Sequence, residues 1–319
     1  MMTFEEFGSD LPPGRTEWFK SPEALEKALA DAGVYQMTRQ TKRGQFRAGL
    51  AYRHTPHADL FADRYSTDLT LRLQTPQETV GILIPKSVAG RFIVNGINLG
   101  DDHLLFSPNG TDSDISGPGP IGSDDIAIPM NRFSTLLETL CPTAIQPEEL
   151  AIVKVYAPEL RVLGDSIVSL IGADDPELQG ERLPNLIARI VSIVGHSSEC
   201  FRPDDLKGRG AQNRVAKSAQ EFIEANFSKS VYLEDLCRET GVGIRTLQRC
   251  FREYFDLTVT DYLKTVRLDA TYRELQTING ERNTVTKIAL KNGFTHLGRF
   301  SVAYHMRFGE MPSETLAAN

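Results

Sequence analysis

Apolar residues along the first 130 positions fall in short, often alternating runs broken by Gly, Pro, Asp and Asn, a pattern that predicts strands. The candidate strands are Phe46–Tyr52, Thr67–Leu73, Thr79–Pro85, Arg91–Val94, His103–Ser107 and Asp125–Pro129, with Asn95-Gly96 as a hairpin turn. In the run FRAGLAY, Phe46, Ala48, Leu50 and Tyr52 share one face and Arg47 takes the other. A short helix is expected at Leu25–Ala32, and longer apolar helices at Asn131–Leu140, Ile152–Ile171 and Leu183–Val194. Several short strands at this spacing predict a small β-barrel or a curled sandwich.

The pattern changes to helical spacing in the last third. From Leu233 to Phe255, the apolar set Leu236, Cys237, Val242, Leu247 and Phe251 recurs at that spacing around a turn at Gly241. Arg245, Thr246, Gln248, Arg249 and Arg252 are left facing outward. From Thr284 to Phe308 the pattern repeats with Ile288, Ala289, Phe294, Phe300 and Tyr304, a turn at Asn292-Gly293, and an outward strip of His296, Gly298, Arg299, Ser301, Val302 and His305. Between them Val259–Gln276 contains neither Gly nor Pro and predicts one continuous helix about 27 Å long. Major-groove faces on one side of B-DNA repeat at about 34 Å. Two helices held at the ends of such a spacer are therefore expected to enter successive grooves of one DNA duplex.

The run GIRTLQRCF at 243–251, R-L-x-A at 267–270 with Leu275, Gly293-Phe294 and F-G-x-x-P at 308–312 resemble the AraC/XylS family of bacterial transcription regulators over roughly residues 215–316. The resemblance implies base contacts from Arg245, Gln248 and Arg249 in one helix and from Gly298, Arg299 and Ser301 in the other. Arg252 is an expected phosphate contact, and His305 stands where a basic residue is frequent. Arg pairs bidentately with guanine and Gln with adenine, which agrees. The usual Ser cap of the first reading helix is Gly243 here, and a frequent Arg of the second is Val302. The resemblance also implies a barrel-like sensor, RNA polymerase as a partner and, through the helices beside the barrel, a homodimer.

Length and charge fit two parts. Of 319 residues 40% are hydrophobic, and the net charge of -7 is uneven: residues 206–319 carry 17 Lys+Arg against 13 Asp+Glu, leaving 18 against 29 for residues 1–205. The acidic surplus thus sits on the part that need not approach phosphate. The expected division is a sensing and dimerisation domain at 1–200, a polar linker at 201–214 and a DNA-binding domain at 215–319. The fold class is α+β, with an N-terminal barrel-like β domain flanked by helices and an all-α C-terminal domain holding two helix-turn-helix units. No apolar run approaches the roughly 20 residues of a membrane span. The acidic start MMTFEEFGSD is unlike a signal peptide, so a cytoplasmic location is expected. Cys141, Cys200, Cys237 and Cys250 lack C-x-x-C spacing, and the two within the first helix-turn-helix, Cys237 and Cys250, read as small core or semi-buried residues.

One constellation bears on the effector. Arg39 to Arg43 gives R-x-x-x-R ahead of the first predicted strand, and Asp114 to Gly119 gives D-x-S-x-x-G in a predicted turn. Together they resemble the PilZ-type signature for cyclic di-GMP. Arg39 and Arg43 are expected to grip phosphate and guanine, Asp114 and Ser116 to read the base edge, and Gly119 to admit close backbone approach. Arg47 and Lys42 are reserves. Paired with an AraC-type half, the signature resembles regulators through which this messenger activates surface-polysaccharide genes. Two alternatives stand beside it. One is a small metabolite in an apolar interior near Phe61, Tyr65, Phe92 or Phe106. The other is a cupin-like metalloenzyme using His54, His57 and His103 with Asp59 or Glu78. No catalytic motif accompanies those histidines, so neither an enzyme nor a metal is the expected reading.

Overall fold

A computed structural model describes residues 3–42, 44–144, 148–173, 176–197, 200–201, 209–277 and 283–318. The N-terminal part runs α1 (Phe4–Phe7), β1 (Thr16–Phe19), α2 (Pro22–Asp31), β2 (Tyr35–Gln40), β3 (Ala48–His54), β4 (Asp59–Tyr65), β5 (Leu69–Gln74) and β6 (Thr79–Ser87). It continues through β7 (Phe92–Val94), β8 (Ile97–Leu99), β9 (His103–Pro108), β10 (Asp112–Gly117), β11 (Ile121–Pro129), α3 (Met130–Leu140), β12 (Ala151–Lys154), α4 (Ala157–Gly172), α5 (Pro176–His196) and β13 (Cys200–Phe201). The C-terminal part is helical: α6 (Arg209–Asn226), α7 (Leu233–Thr240), α8 (Ile244–Phe255), α9 (Val259–Thr277), α10 (Asn283–Lys291), α11 (Leu297–Phe308) and α12 (Pro312–Ala317).

The expected barrel does not close. The strands form two open antiparallel sheets, one of eight strands in the order β1-β3-β4-β11-β6-β9-β12-β13 and one of five in the order β2-β5-β10-β7-β8. The large sheet buries both faces, and that decides the architecture. Leu60, Ile82, Phe106 and Ile126 on one face pack with Phe133 of α3, Leu163 and Ile167 of α4, and Ile187 and Ile190 of α5. Leu50, Tyr65, Leu83 and Leu105 on the other face pack against Leu69, Leu71, Phe92 and Ile115 of the small sheet. Closing the strands into one barrel would leave the helices no flat face to cover. Ser21 caps α2 by accepting from the Ala24 N–H at 3.3 Å, and Pro22 starts its first turn. This helix sends Leu25 and Leu29 into the inter-sheet core, each contributing about 1.5–3 kcal/mol by burial.

Four local expectations change. Asp112–Gly117 is strand β10 in the middle of the small sheet, so Asp114 and Ser116 lie in a ladder and not in a turn. Arg39 likewise lies within a strand, β2. The expected helix Ile152–Ile171 divides: Ala151–Lys154 pairs with β9, and α4 starts only at Ala157, with a proline in its first turn. Residues 209–214 of the expected linker are the first turns of α6, and 202–208 lie outside the described residues. The hairpin turn at Asn95-Gly96 joins β7 and β8 with φ of 46° and 79°, as a two-residue turn of that type requires.

Candidate nucleic-acid interface

Helices α7 and α8 meet at Gly241, whose φ of 69° is the left-handed value a tight exit demands. Helix α8 divides by its period. Leu247, Cys250, Phe251, Tyr254 and Phe255 are buried, while Arg245, Gln248, Arg249 and Arg252 are exposed. Gly243 supplies no side-chain cap, as its missing side chain dictates. Asp256 closes the helix in the left-handed region, its N–H donating to the Arg252 carbonyl at 2.9 Å.

The second pair, α10 and α11, turns at Gly293 with φ of 86°. A Cβ there would lie 2.7 Å from the Phe227 carbonyl oxygen and 2.8 Å from Arg267 Nε, so glycine is required twice over. Arg267 itself ties α9 to the end of α6 through the Phe227 and Lys229 carbonyls at 2.7 and 2.8 Å. On α11, Phe300, Tyr304 and Arg307 are buried, and Gly298, Arg299, Val302 and His305 are exposed. Ser301 is half-buried, and its hydroxyl donates back to the Leu297 carbonyl at 3.1 Å. Helix α9 belongs to both cores: Tyr262 and Val266 pack with Phe251 and Phe255, and Leu268 and Leu275 pack with Phe300 and Tyr304. Its 19 residues span about 28 Å. The two exposed strips are thus carried on one rod.

The effector residues fall differently. Register places Arg39 of β2 and Ser116 of β10 both opposite Thr70 of β5, and Asp114 opposite Arg72. Arg39, Arg72, Asp114 and Ser116 therefore lie together, but they meet the helical half. Arg39 donates to Glu224 Oε1 at 2.5 Å and to the Tyr262 hydroxyl at 2.6 Å, with Asp269 Oδ2 3.7 Å from its Nε. Asp114 accepts from Arg72 Nε at 3.1 Å and from the Tyr254 hydroxyl at 2.9 Å, and Ser116 Oγ lies 3.5 Å from the Tyr254 carbonyl. Arg307 of α11 is gripped by Asp269 and reaches the Gln40 carbonyl, while Arg91 pairs with Asp256 at 2.9 Å. Burial alone raises the Glu224 carboxyl. Arg39, Tyr262 and Arg72 outweigh it and hold the group below its ordinary range.

Gly119 lies in the loop after β10, its N–H donating to Asp68 Oδ1 at 3.2 Å. Arg47 lies elsewhere, exposed and paired with Glu5 at 2.8 Å. Arg43 lies outside the described residues. Lys42 pairs with Asp68. The histidines considered for a metal do not converge: His54 pairs with Asp59, His57 with Arg132 and His103 with Asp102. Sequence reasoning missed Arg72, Gln220, Glu224, Tyr254 and Tyr262. The bonds that join them to the strands or to each other across the halves, Arg39–Glu224, Arg39–Tyr262, Arg72–Gln220 and Asp114–Tyr254, span 140 to 223 positions along the chain, beyond any local pattern.

A family model described as a helix-turn-helix domain matches residues 236–318. The chain is 32% identical over 121 residues to the XylDLEGF operon transcriptional activator 2 of Pseudomonas putida, covering 38% of this chain and 74% of that one. It is 30% identical over 141 residues to another XylDLEGF operon transcriptional activator of Pseudomonas putida, covering 44% of this chain. The chain spans 42% of that relative's length. Among solved structures, a probable AraC family transcriptional regulator from Rhodopseudomonas palustris is 34% identical, covering 33% of this chain and 95% of that one, with a TM-score of 0.31. With most of α7 and all of α8 to α12 inside the matched segment and the relatives aligned, the chain belongs to the AraC/XylS family of transcription regulators.

Proposed function

We propose that the chain is a ligand-responsive transcription activator that grips promoter DNA with two helix-turn-helix units, α8 and α11 serving as reading helices. One observation carries this. Arg245, Gln248, Arg249 and Arg252 at one end of α9, and Gly298, Arg299, Val302 and His305 at the other, are all free of the core. Arg and Gln at such positions recognise guanine and adenine edges, Arg252 suits phosphate, and Val302 suits a thymine methyl. Ser301, bonded back to its own helix, contributes least. Recruitment of RNA polymerase and pairing of two copies through α4 and α5 belong to the same proposal. A footprint on the promoter tests it: two protected major-groove patches about one helical turn apart are expected. Gln248→Ala should weaken one and Arg299→Ala the other. A single patch, or one lost equally in both variants, sinks the two-helix mode.

Cyclic di-GMP is proposed for the face that holds Arg39, Asp114 and Ser116, supported by their lying on β2 and β10, either side of β5. The nucleotide must take Arg39 from Glu224 and Asp114 from Tyr254, so its binding parts the two halves. A surface-polysaccharide target rests on the resemblance alone. A second effector site is favoured by the cavity between the two sheets, which a small molecule can fill without breaking any contact between the halves. Calorimetry with cyclic di-GMP on wild type and Asp114→Ala separates the two. Binding lost in the variant supports the nucleotide, and an absence of heat in wild type leaves the cavity.

A further inference from the structure

The cavity between the sheets has a volume of about 70 Å³ and a mostly apolar wall. Phe61, Leu71, Leu83 and Ile115 belong to the apolar part, Gln36, Gln74, Thr75 and Ser107 are neutral polar lining, and Asp63 and Asp125, with Ser123 between them, are its acidic groups. Strands β4 and β11 pair with Asp63 opposite Ser123 and Phe61 opposite Asp125, so strand alternation brings both carboxyls to the inner face. The neighbouring Arg64 and Asp124 serve the opposite face. There Arg64 is spent on Asp10, Asp124 and the carbonyls of Asp63 and Ser123, and Asp124 lies against Gly164 of α4.

Counting hydrogens exposes a deficit. The Ser123 N–H donates to Asp63 Oδ1 at 3.0 Å, and its hydroxyl stands 3.2 Å from Asp63 Oδ2 and 2.9 Å from Asp125 Oδ2. A hydroxyl has one hydrogen and cannot serve both carboxylates. Asp125 Oδ1 is buried without a hydrogen-bond partner among the described residues. Burial raises the Asp63 carboxyl to about 7, and burial followed by Asp63 raises that of Asp125. The pair therefore has fewer donors than acceptors, and the nearest cation, Arg64, turned to the opposite face, lowers both carboxyls without offsetting burial.

We infer that this cavity is built for a small organic cation, a primary amine or amidine with an apolar body, whose charged head sits between Asp63 and Asp125. An ammonium brings three donors and no acceptor, which is what the two carboxyls lack. Its body rests on Phe61, Leu71 and Ile115. A carboxylate ligand would meet two acids. Among the described residues no three His, Cys, Asp or Glu side chains gather as a metal ion requires. Exposed Gln74 and half-buried Val34 and Pro76 line the way in. The inference rests on the small-molecule reading above and names its chemical class.

The test is calorimetry on the full chain with ethylamine and propylamine, small enough for the cavity, each against the alcohol and the carboxylate of similar shape. The amines should bind at least about tenfold more tightly than their alcohols, and Asp125→Asn should remove that preference while promoter binding persists. Equal or tighter binding of an alcohol or carboxylate overturns the cationic class and leaves small-molecule sensing standing. No binding of either amine at millimolar concentration overturns the inference, as does stabilisation by magnesium or calcium alone. Amine binding untouched by both Asp125→Asn and Asp63→Asn places the amine elsewhere and overturns it too. If Asp125→Asn does not fold, Asp63→Asn replaces it and the amine-to-alcohol ratio in wild type still decides.

Discussion

Removing the Glu224 carboxylate should loosen the joint between the two halves more than any exposed change. In Glu224→Ala the Arg39 guanidinium, whose side chain is 11% exposed, loses its 2.5 Å partner, and the Tyr262 hydroxyl loses an acceptor at 2.6 Å. Breaking a buried ion pair costs about 3–5 kcal/mol. Glu224 is 23% exposed and Asp269 stays 3.7 Å from Arg39, which lowers the expectation to about 2–4 kcal/mol. Urea unfolding measures it, with the single tryptophan, Trp18 in β1, reporting the N-terminal half and far-UV circular dichroism the helices. The helical signal should shift to lower urea ahead of Trp18 fluorescence. In a double-mutant cycle, Arg39→Ala with Glu224→Ala should show a coupling of about 1–3 kcal/mol. A coupling near zero, or a loss under about 0.5 kcal/mol in Glu224→Ala, would refute the assignment of these groups as the joint.

Gln248→Ala and Arg249→Ala should each cost about 1–3 kcal/mol at a cognate site in a titrated mobility shift. Arg252→Ala should weaken all sequences alike and reduce the slope of log K against log salt by about 1; an unchanged slope removes its phosphate role. Gly293→Ala should destabilise well beyond Gly241→Ala, since a Cβ at 293 meets backbone and Arg267 within 3 Å whereas 241 has open space. The Gly241 change should cost about 1–2 kcal/mol for the left-handed backbone alone, and equal losses in thermal melts would contradict the packing at 293. The raised Asp63 and Asp125 carboxyls bind protons more tightly folded than unfolded. Stability should therefore fall as pH rises from the ordinary carboxylate range to about 7, and Asp125→Asn should flatten that slope. Asp10 and Glu224, held below their ordinary range, act in the opposite sense and only at lower pH. A wild-type stability that climbs across this window would be inconsistent with the buried pair.

The helical third was legible because its determinants are local. Spacing of Leu247, Phe251, Phe300 and Tyr304 fixed the buried stripe, Gly241 and Gly293 fixed the turns, and the remaining positions were left outward by subtraction. Ser301 departs from this because a serine hydroxyl can satisfy itself on its own helix, a choice no spacing reveals. In the β half β3, β5, β6, β7, β9 and β11 could be found, β1, β8, β12 and β13 were not predicted, and β2, β4 and β10 were hidden. Their charged residues Arg39, Asp63, Arg64 and Asp114 look like surface or turn positions until a partner is supplied.

The sequence by itself determined which face of each C-terminal helix is polar, where the chain turns and that one rod joins the two pairs, since periodicity and backbone sterics act within a few residues. Only the tertiary structure decided that the strands split into two sheets, that Arg39 and Asp114 face Glu224 and Tyr254, and that Asp63 and Asp125 share a cavity. Those outcomes depend on burial and charge compensation between groups far apart in the chain, where every contact exists only after the whole has closed around it.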